Sequence, residues 1–200
     1  MKNFSKYGFV FLFLLLSNIT SAQLVRFGLG GGLTSIKSPD SYVNSIDNNG
    51  LGFSNNYHLT AIVKINFPLL PIKPAAFIDY HILRGSGTRN SDNIETSLNI
   101  FSIGVEGELT ILPLPLVTPY AVVDLSYNKF GDLQETSQLG SASQPGVTRY
   151  GGALGVGAEI TALPSLDLDL SLKYQVFNLV GKDSNESNIN ALTLNLILLF

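Results

Sequence analysis

The chain has 200 residues, 45% of them hydrophobic and only 14% charged, with no cysteine, a formal charge of −3 and a mean hydropathy of +0.26. A soluble domain carries nearer a quarter charged residues, so this surface is short of charge. The acidic balance gives no footprint for nucleic acid, the missing cysteines rule out a disulfide framework, and no apolar run reaches the roughly 18 residues that a spanning helix needs.

Taken in chain order, the first element is "MKNFSKYGFVFLFLLLSNITSA". Lys2 and Lys6 precede an apolar core from Gly8 to Leu16, and small residues lead up to Ala22. This predicts a cleavable secretory signal peptide over residues 1–22, with residues 23–200 forming one domain. Losing Lys2 and Lys6 takes the formal charge from −3 to −5. No cysteine follows the cleavage point, so no lipid anchor is expected there.

Eight segments of period-2 alternation follow, each about 9–12 residues, the length of a tilted strand crossing a bilayer. The first, "LVRFGLGGGLT", sets Val25, Phe27, Leu29 and Leu33 against Arg26. The second, "YHLTAIVKINF", sets Tyr57, Leu59, Ala61, Val63 and Ile65 against His58, Thr60 and Lys64. In the third, "AAFIDYHIL", Ala76, Ile78 and Tyr80 oppose Asp79 and His81; in the fourth, "NIFSIGVEGELTI", Phe101, Ile103 and Val105 oppose Ser102, Glu106 and Glu108. The fifth, "YAVVDLSYN", carries Asp124 on its polar side, and the sixth, "GALGVGAEITA", carries Glu159. The seventh, "SLDLDLSLKYQV", alternates leucines with Asp167, Asp169, Ser171 and Lys173, and the eighth, "NALTLNLILLF", ends the sequence on Phe200.

The links alternate too. Short, proline-bearing ones follow the second, fourth and sixth segments; long polar ones span roughly 35–56, 84–96, 131–149 and 180–188. Short turns on one side and long loops on the other are the asymmetry of an outer-membrane barrel, with both mature termini periplasmic. The fold expected is therefore all-β: an eight-stranded antiparallel up-and-down transmembrane β-barrel behind a cleavable signal peptide.

The alternation allows two orientations: apolar side inward, as in a soluble barrel with a greasy pocket, or outward, facing lipid. An eight-stranded interior is too small for that many leucines and aromatics. Apolar residues on the opposite face, such as Phe77, Ile100, Val122, Phe177, Ile197 and Leu199, would make sticky patches on a soluble protein. The outward-apolar arrangement is expected. Arg26, Lys64, Asp79, Glu106, Glu108, Asp124, Glu159, Asp167, Asp169 and Lys173 then share the lumen. Buried charges need partners, which predicts an ion-pair and hydrogen-bond network around Arg26 and Lys64, with some carboxylates protonated or hydrated. A structural plug is the expectation, and a gate or proton path the functional alternative.

The signal ending "TSAQ", the glycine-rich "FGLGGGLTS", the eight-strand pattern and the terminal "LTLNLILLF" resemble the small outer-membrane β-barrel family of Gram-negative bacteria, which includes the OmpA-type transmembrane domain. The resemblance implies outer-membrane localisation, contact with outer-membrane lipids and lipopolysaccharide, and recognition of Phe200 by the barrel-assembly machinery. No cofactor is expected, the oligomeric state is open with a monomer favoured, and no cell-wall tether is expected beyond Phe200.

Other motifs carry less. "GLGGG" opens no helix and so offers no phosphate cradle. His58 and His81 lie far apart in sequence, a poor zinc pair; His81 near an external strand end, with Ser86 beyond it, is the weak case for a lipid-modifying enzyme. Arg84, Arg89 and Arg149 at the external ends could meet lipopolysaccharide phosphates or act as interface anchors. "DNNG" and "GKDSNESN" do not fit the EF-hand register. The expected role is non-enzymatic, structural or in surface contact. A narrow pore or conduit for small apolar solutes, a lipid-modifying enzyme and a soluble periplasmic binding barrel stand as alternatives.

Overall fold

The computed structural model describes residues 24–67, 70–112, 114, 116–163 and 166–200; the expected signal peptide lies outside the described residues. Ten strands form one antiparallel sheet: β1 (Val25–Ser38), β2 (Asn56–Ile65), β3 (Ile72–Arg89), β4 (Asp92–Thr110), β5 (Val117–Phe130), β6 (Leu133–Ser137), β7 (Gly140–Gln144), β8 (Thr148–Leu163), β9 (Leu166–Val180) and β10 (Asn190–Leu199). Eight of them close into a barrel through the β3–β4 and β1–β10 pairings, while β6 and β7 extend the sheet beyond β4. The seam is completed by Phe200, whose N–H donates to the Phe27 carbonyl at 2.8 Å and whose carbonyl accepts from Phe27 at 3.0 Å.

Period 2 decides which face each side chain takes. Leu29, Leu59, Ile103, Val123, Leu154, Leu170 and Leu196 are all exposed on the outer wall. Tyr57, Tyr80, Phe101, Tyr127, Tyr150 and Tyr174 ring that wall toward the long-loop end, with Tyr127 and Tyr150 edge-on at 5.6 Å. Phe27, Phe67 and Phe200 lie near the other end. Among the described residues, the outward positions between these two belts carry no charged side chain. An apolar band between aromatic girdles is the outer surface of a membrane barrel.

The glycine-rich stretch of β1 has a local reason. At Gly30 and Gly32 an added Cβ would run into the Leu196 and Leu194 carbonyls of β10. These glycines let β1 press against its neighbour, and the chain continues as strand to Ser38 with no helix to hold phosphate.

Several expectations about the external side need correction. The link 84–96 is mostly not a loop: β3 and β4 run 18 and 19 residues and meet at a two-residue turn, Asn90 and Ser91, both at positive φ. Such a turn matches the natural twist of a hairpin. The link 131–149 contains the β6–β7 hairpin, with β6 paired to β4 from Ile94 to Ser97. A four-stranded sheet therefore stands above the barrel. One of its faces meets water and the other is covered in part by the first long link, over Ile94 and Thr96; Gly85, Gly87, Ser86 and Thr88 in β3 and the polar residues of β6 and β7 leave too little apolar alternation to mark these strands in sequence. Among the barrel strands, β2 and β10 have 10 residues, within the 9–12 expected, and the other six run 14–19.

The first long link folds over the mouth. It forms a short helix, α1 (Asp40–Val43), and a 3-10 turn (Ile46–Asn48), then drops Phe53 into the barrel, fully buried. Ile46 packs at Gly87 of the protruding sheet, where a Cβ would come within 3.0 Å. Thr96 Oγ1 donates to the Leu51 carbonyl at 2.6 Å, and Thr88 N–H to Asp47 at 3.0 Å. The loop is thus docked along its length.

Candidate functional site

The lumen is filled in three tiers. In the tier at the short-turn end Lys64, 0% exposed, is the hub: its ammonium donates to Glu108, to Asp169 at 2.6 Å and to Glu159 at 3.2 Å, and lies 5.1 Å from the Tyr120 ring. Arg26 bridges Asp167 at 2.5 Å and Glu159 at 3.5 Å. Tyr120 donates its hydroxyl to Asp169 at 2.6 Å. A second hub sits beside the first. Lys173 donates to Glu106 at 2.5 Å and Asp124 at 3.5 Å, above the Phe77 ring at 5.3 Å. Asp79 has no ion pair among the described residues; it accepts from Thr60 Oγ1 at 2.7 Å.

All ten charged positions expected in the lumen face it; nine are divided between two hubs rather than gathered around Arg26 and Lys64 alone, and Asp79 stands outside both. One member was not expected. Lys73 donates to Glu159 at 2.6 Å, but it stands in the proline-flanked "PIKP", where no strand alternation signals an inward residue. Ile62, Ala75, Phe77, Ile197 and Leu199 pack as an apolar cluster in the same lumen.

The middle tier is a relay of neutral groups. His58 and His81, distant in sequence, are paired across β2 and β3 with ring centroids 5.0 Å apart. Asn195 Nδ2 donates to Ser171 at 3.0 Å, leaving its Oδ1 to accept from His58 Nε2 at 2.6 Å. His58 Nδ1 then accepts from Thr34 Oγ1 at 2.9 Å, and Thr34 accepts in turn from His81 Nδ1 at 2.9 Å. This order fixes both tautomers and leaves His81 Nε2 as a buried acceptor without a partner, its ring edge-on to Phe177. The expectation that His81 lies near an external strand end is corrected: it is fully buried mid-barrel, while its strand runs on to Arg89.

The tier at the long-loop end is apolar. Ile36, Phe53, Leu83, Leu98, Ile100, Phe130, Phe177, Ile189 and Ala191 form one buried cluster under the first loop. A β-bulge helps build it. Tyr150 pairs with Val180 but Gly152 with Val176, so β9 carries extra residues there, and a bulge re-aims side chains. Consecutive Phe177 and Asn178 are both buried as a result. Phe177 joins the cluster, and Asn178 donates to Glu186 at 2.7 Å and accepts from the Ile189 N–H at 2.7 Å.

At the mouth, the three arginines take different roles. Arg149 is clamped by Glu186 at 2.7 Å and Asp183 at 3.0 Å, and Arg89 pairs with Glu135 at 3.0 Å. Arg84, exposed on the outer rim, donates to Asn99 at 3.0 Å. Burial alone would raise Glu186, but the hydrogen bonds from Arg149 and Asn178 outweigh it and hold this carboxyl below its usual range. A carboxylate depressed in the folded state stabilises above its unfolded pKa of about 4.3, and that contribution is lost as pH falls through the lower folded value. Residues 183–189 are expected to exchange amide hydrogens faster as pH drops below about 4, after correction for intrinsic exchange. Unchanged protection down to pH 2 would show that the clamp does not order this loop.

The barrel, its outer band and its filled lumen define the class: this chain has the fold of an eight-stranded bacterial outer-membrane β-barrel. It is similar to Neisserial surface protein A, with a TM-score of 0.61 and 16% identity over 88% of this chain and 95% of that one. It is also similar to Ail, the attachment invasion locus protein of Yersinia pestis, with a TM-score of 0.51 and 13% identity over 88% and 97%. Ail in complex with the heparin analogue sucrose octasulfate matches with a TM-score of 0.52. No protein-family model and no curated protein matches the sequence.

Proposed function

We propose that the chain is a non-enzymatic outer-membrane protein with periplasmic termini, a lumen plugged by its own side chains and external loops that serve surface contact. One observation carries this reading: side chains meet across the barrel at every tier, from the Lys64 hub through the histidine relay to the apolar cluster closed by Phe53. A conduit would need a continuous passage, and a lipid-modifying enzyme would need its base at the membrane surface, whereas His81 is enclosed. Lys37, Arg84 and Lys129 point outward at the external rim, where they would meet lipopolysaccharide phosphates. Phe200, at the seam, is the residue for the assembly machinery to read.

In an outer-membrane fraction the protein is expected to migrate differently on a gel unboiled and boiled. In planar bilayers it is expected to add no conductance over a matched empty-vesicle control. Stepwise conductance of the folded protein would overturn the plug, and recovery in the soluble periplasm without a mobility shift would overturn the membrane assignment.

A further inference from the structure

The external mouth holds a cavity of about 370 Å³ framed by the first, third and fourth long links. Its floor is the top of the apolar lumen cluster, formed by Leu98, Phe130 and Ile189. One wall is Tyr42 of α1, which packs edge-on against Phe53 at 6.0 Å. The rim is polar and mostly uncharged: Ser41, Gln144, Asn185 and Ser187, beside the Arg149 clamp.

The clamp narrows the ligand class. The Arg149 guanidinium is taken up by Glu186, Asp183 and the Thr148 carbonyl, so no free cation waits for a phosphate or sulfate. Both Glu186 oxygens are likewise occupied, by Arg149, Asn178 and the Asp183 N–H, which leaves that carboxylate no place for an ammonium. What remains open is Asp183 Oδ1 at the exposed edge, an acceptor for a hydroxyl, and a set of amides and hydroxyls that both donate and accept, above an aliphatic and aromatic floor. Burial and the nearby Glu186 charge push the Tyr42 phenol up from its ordinary value, keeping it a donor. A purely apolar ligand would strip water from these amides and return no hydrogen bond, a net loss. A sugar ring suits both surfaces, with C–H groups for the floor and hydroxyls for the rim. The volume lies at the small end of ligand pockets, about 300–1,000 Å³, which suits one or two rings.

We propose that this cavity binds the uncharged terminal sugar of a glycan. The proposal rests on the reading of the long links as external, and it deepens that reading by naming the partner's chemistry. The test uses full-length mature protein folded in an amine-oxide detergent, since glycosidic detergents would compete. Saturation-transfer NMR is run with methyl glycosides of glucose, galactose, mannose and N-acetylglucosamine, with benzylammonium and glucose 6-sulfate as charged comparators.

At least one neutral glycoside is expected to bind in the millimolar range. The Gln144→Ala/Asn185→Ala variant, altered only at exposed loop positions, is expected to weaken that binding about tenfold or more, equivalent to about 1.4 kcal/mol. Leu133→Trp, placed to fill the cavity, is expected to abolish it. Each sample is first checked for the unboiled mobility of a folded barrel. A folded barrel that binds none of the glycosides overturns the proposal, as does binding unchanged in the double variant or preference for either charged comparator. Loss of the barrel signature in the unaltered protein would instead sink the membrane reading, so the two failures are separable.

Discussion

Replacing Lys64 with Met is expected to cost about 3–5 kcal/mol of folding free energy, because it strands buried carboxylates around an apolar side chain. Glu108, Glu159 and Asp169 would not suffer equally. Glu159 keeps Lys73 and Arg26, and Asp169 keeps the Tyr120 hydroxyl. Glu108 has no other ion pair among the described residues. Adding Glu108→Gln to Lys64→Met should therefore recover more stability than adding Glu159→Gln, which would leave Lys73 and Arg26 short of a partner. The chain has no tryptophan, so unfolding in urea is best followed by the folded fraction on unboiled gels. A wild-type midpoint for Lys64→Met would mean that the hub is hydrated and contributes little.

Val123→Arg is the matching experiment on the outer wall. Val123 stands between Tyr127 toward the long-loop end and Val117 toward the short-turn end, half exposed, facing Leu154 on β8. An arginine near the bilayer midplane costs about 2–4 kcal/mol in a membrane barrel. In lipid vesicles Val123→Arg is expected to lose that much, whereas Ser143→Arg on the water-exposed β7 should be close to neutral. If both variants are neutral in vesicles, the apolar wall does not face lipid.

The barrel and its lumen were largely legible because one physical rule governs both. A strand with lipid on one side and a packed polar interior on the other must alternate, and the alternation assigns each residue a face. Arg26, Asp79, Glu106 and Asp169 follow from parity alone. What parity cannot supply is register, and register makes neighbours of His58 and His81. Parity also fails where the backbone breaks it: Phe177 is inward as its parity requires, but the bulge in β9 turns the next residue, Asn178, inward as well. It is silent where few apolar residues alternate, as in the glycine- and serine-bearing outer part of β3 and in the polar β6–β7 hairpin. Lys73 and Phe53 were hidden for a simpler reason. Each is a single inward residue in a stretch otherwise read as turn or loop.

The β1–β10 seam has a kinetic consequence. The partners of the first strand are β2, which follows it in the chain, and β10, the last barrel strand in chain order among the described residues. Until β10 arrives, every intermediate exposes two unpaired strand edges, the geometry that invites wrong partners and aggregation. Closing the ring also requires the longest loop in the chain, and contacts of that separation slow folding. Barrel formation is thus a single late event gated by the final segment: a chain cut short within β10 is not a slightly smaller barrel but an open sheet with no stable place in water or in lipid.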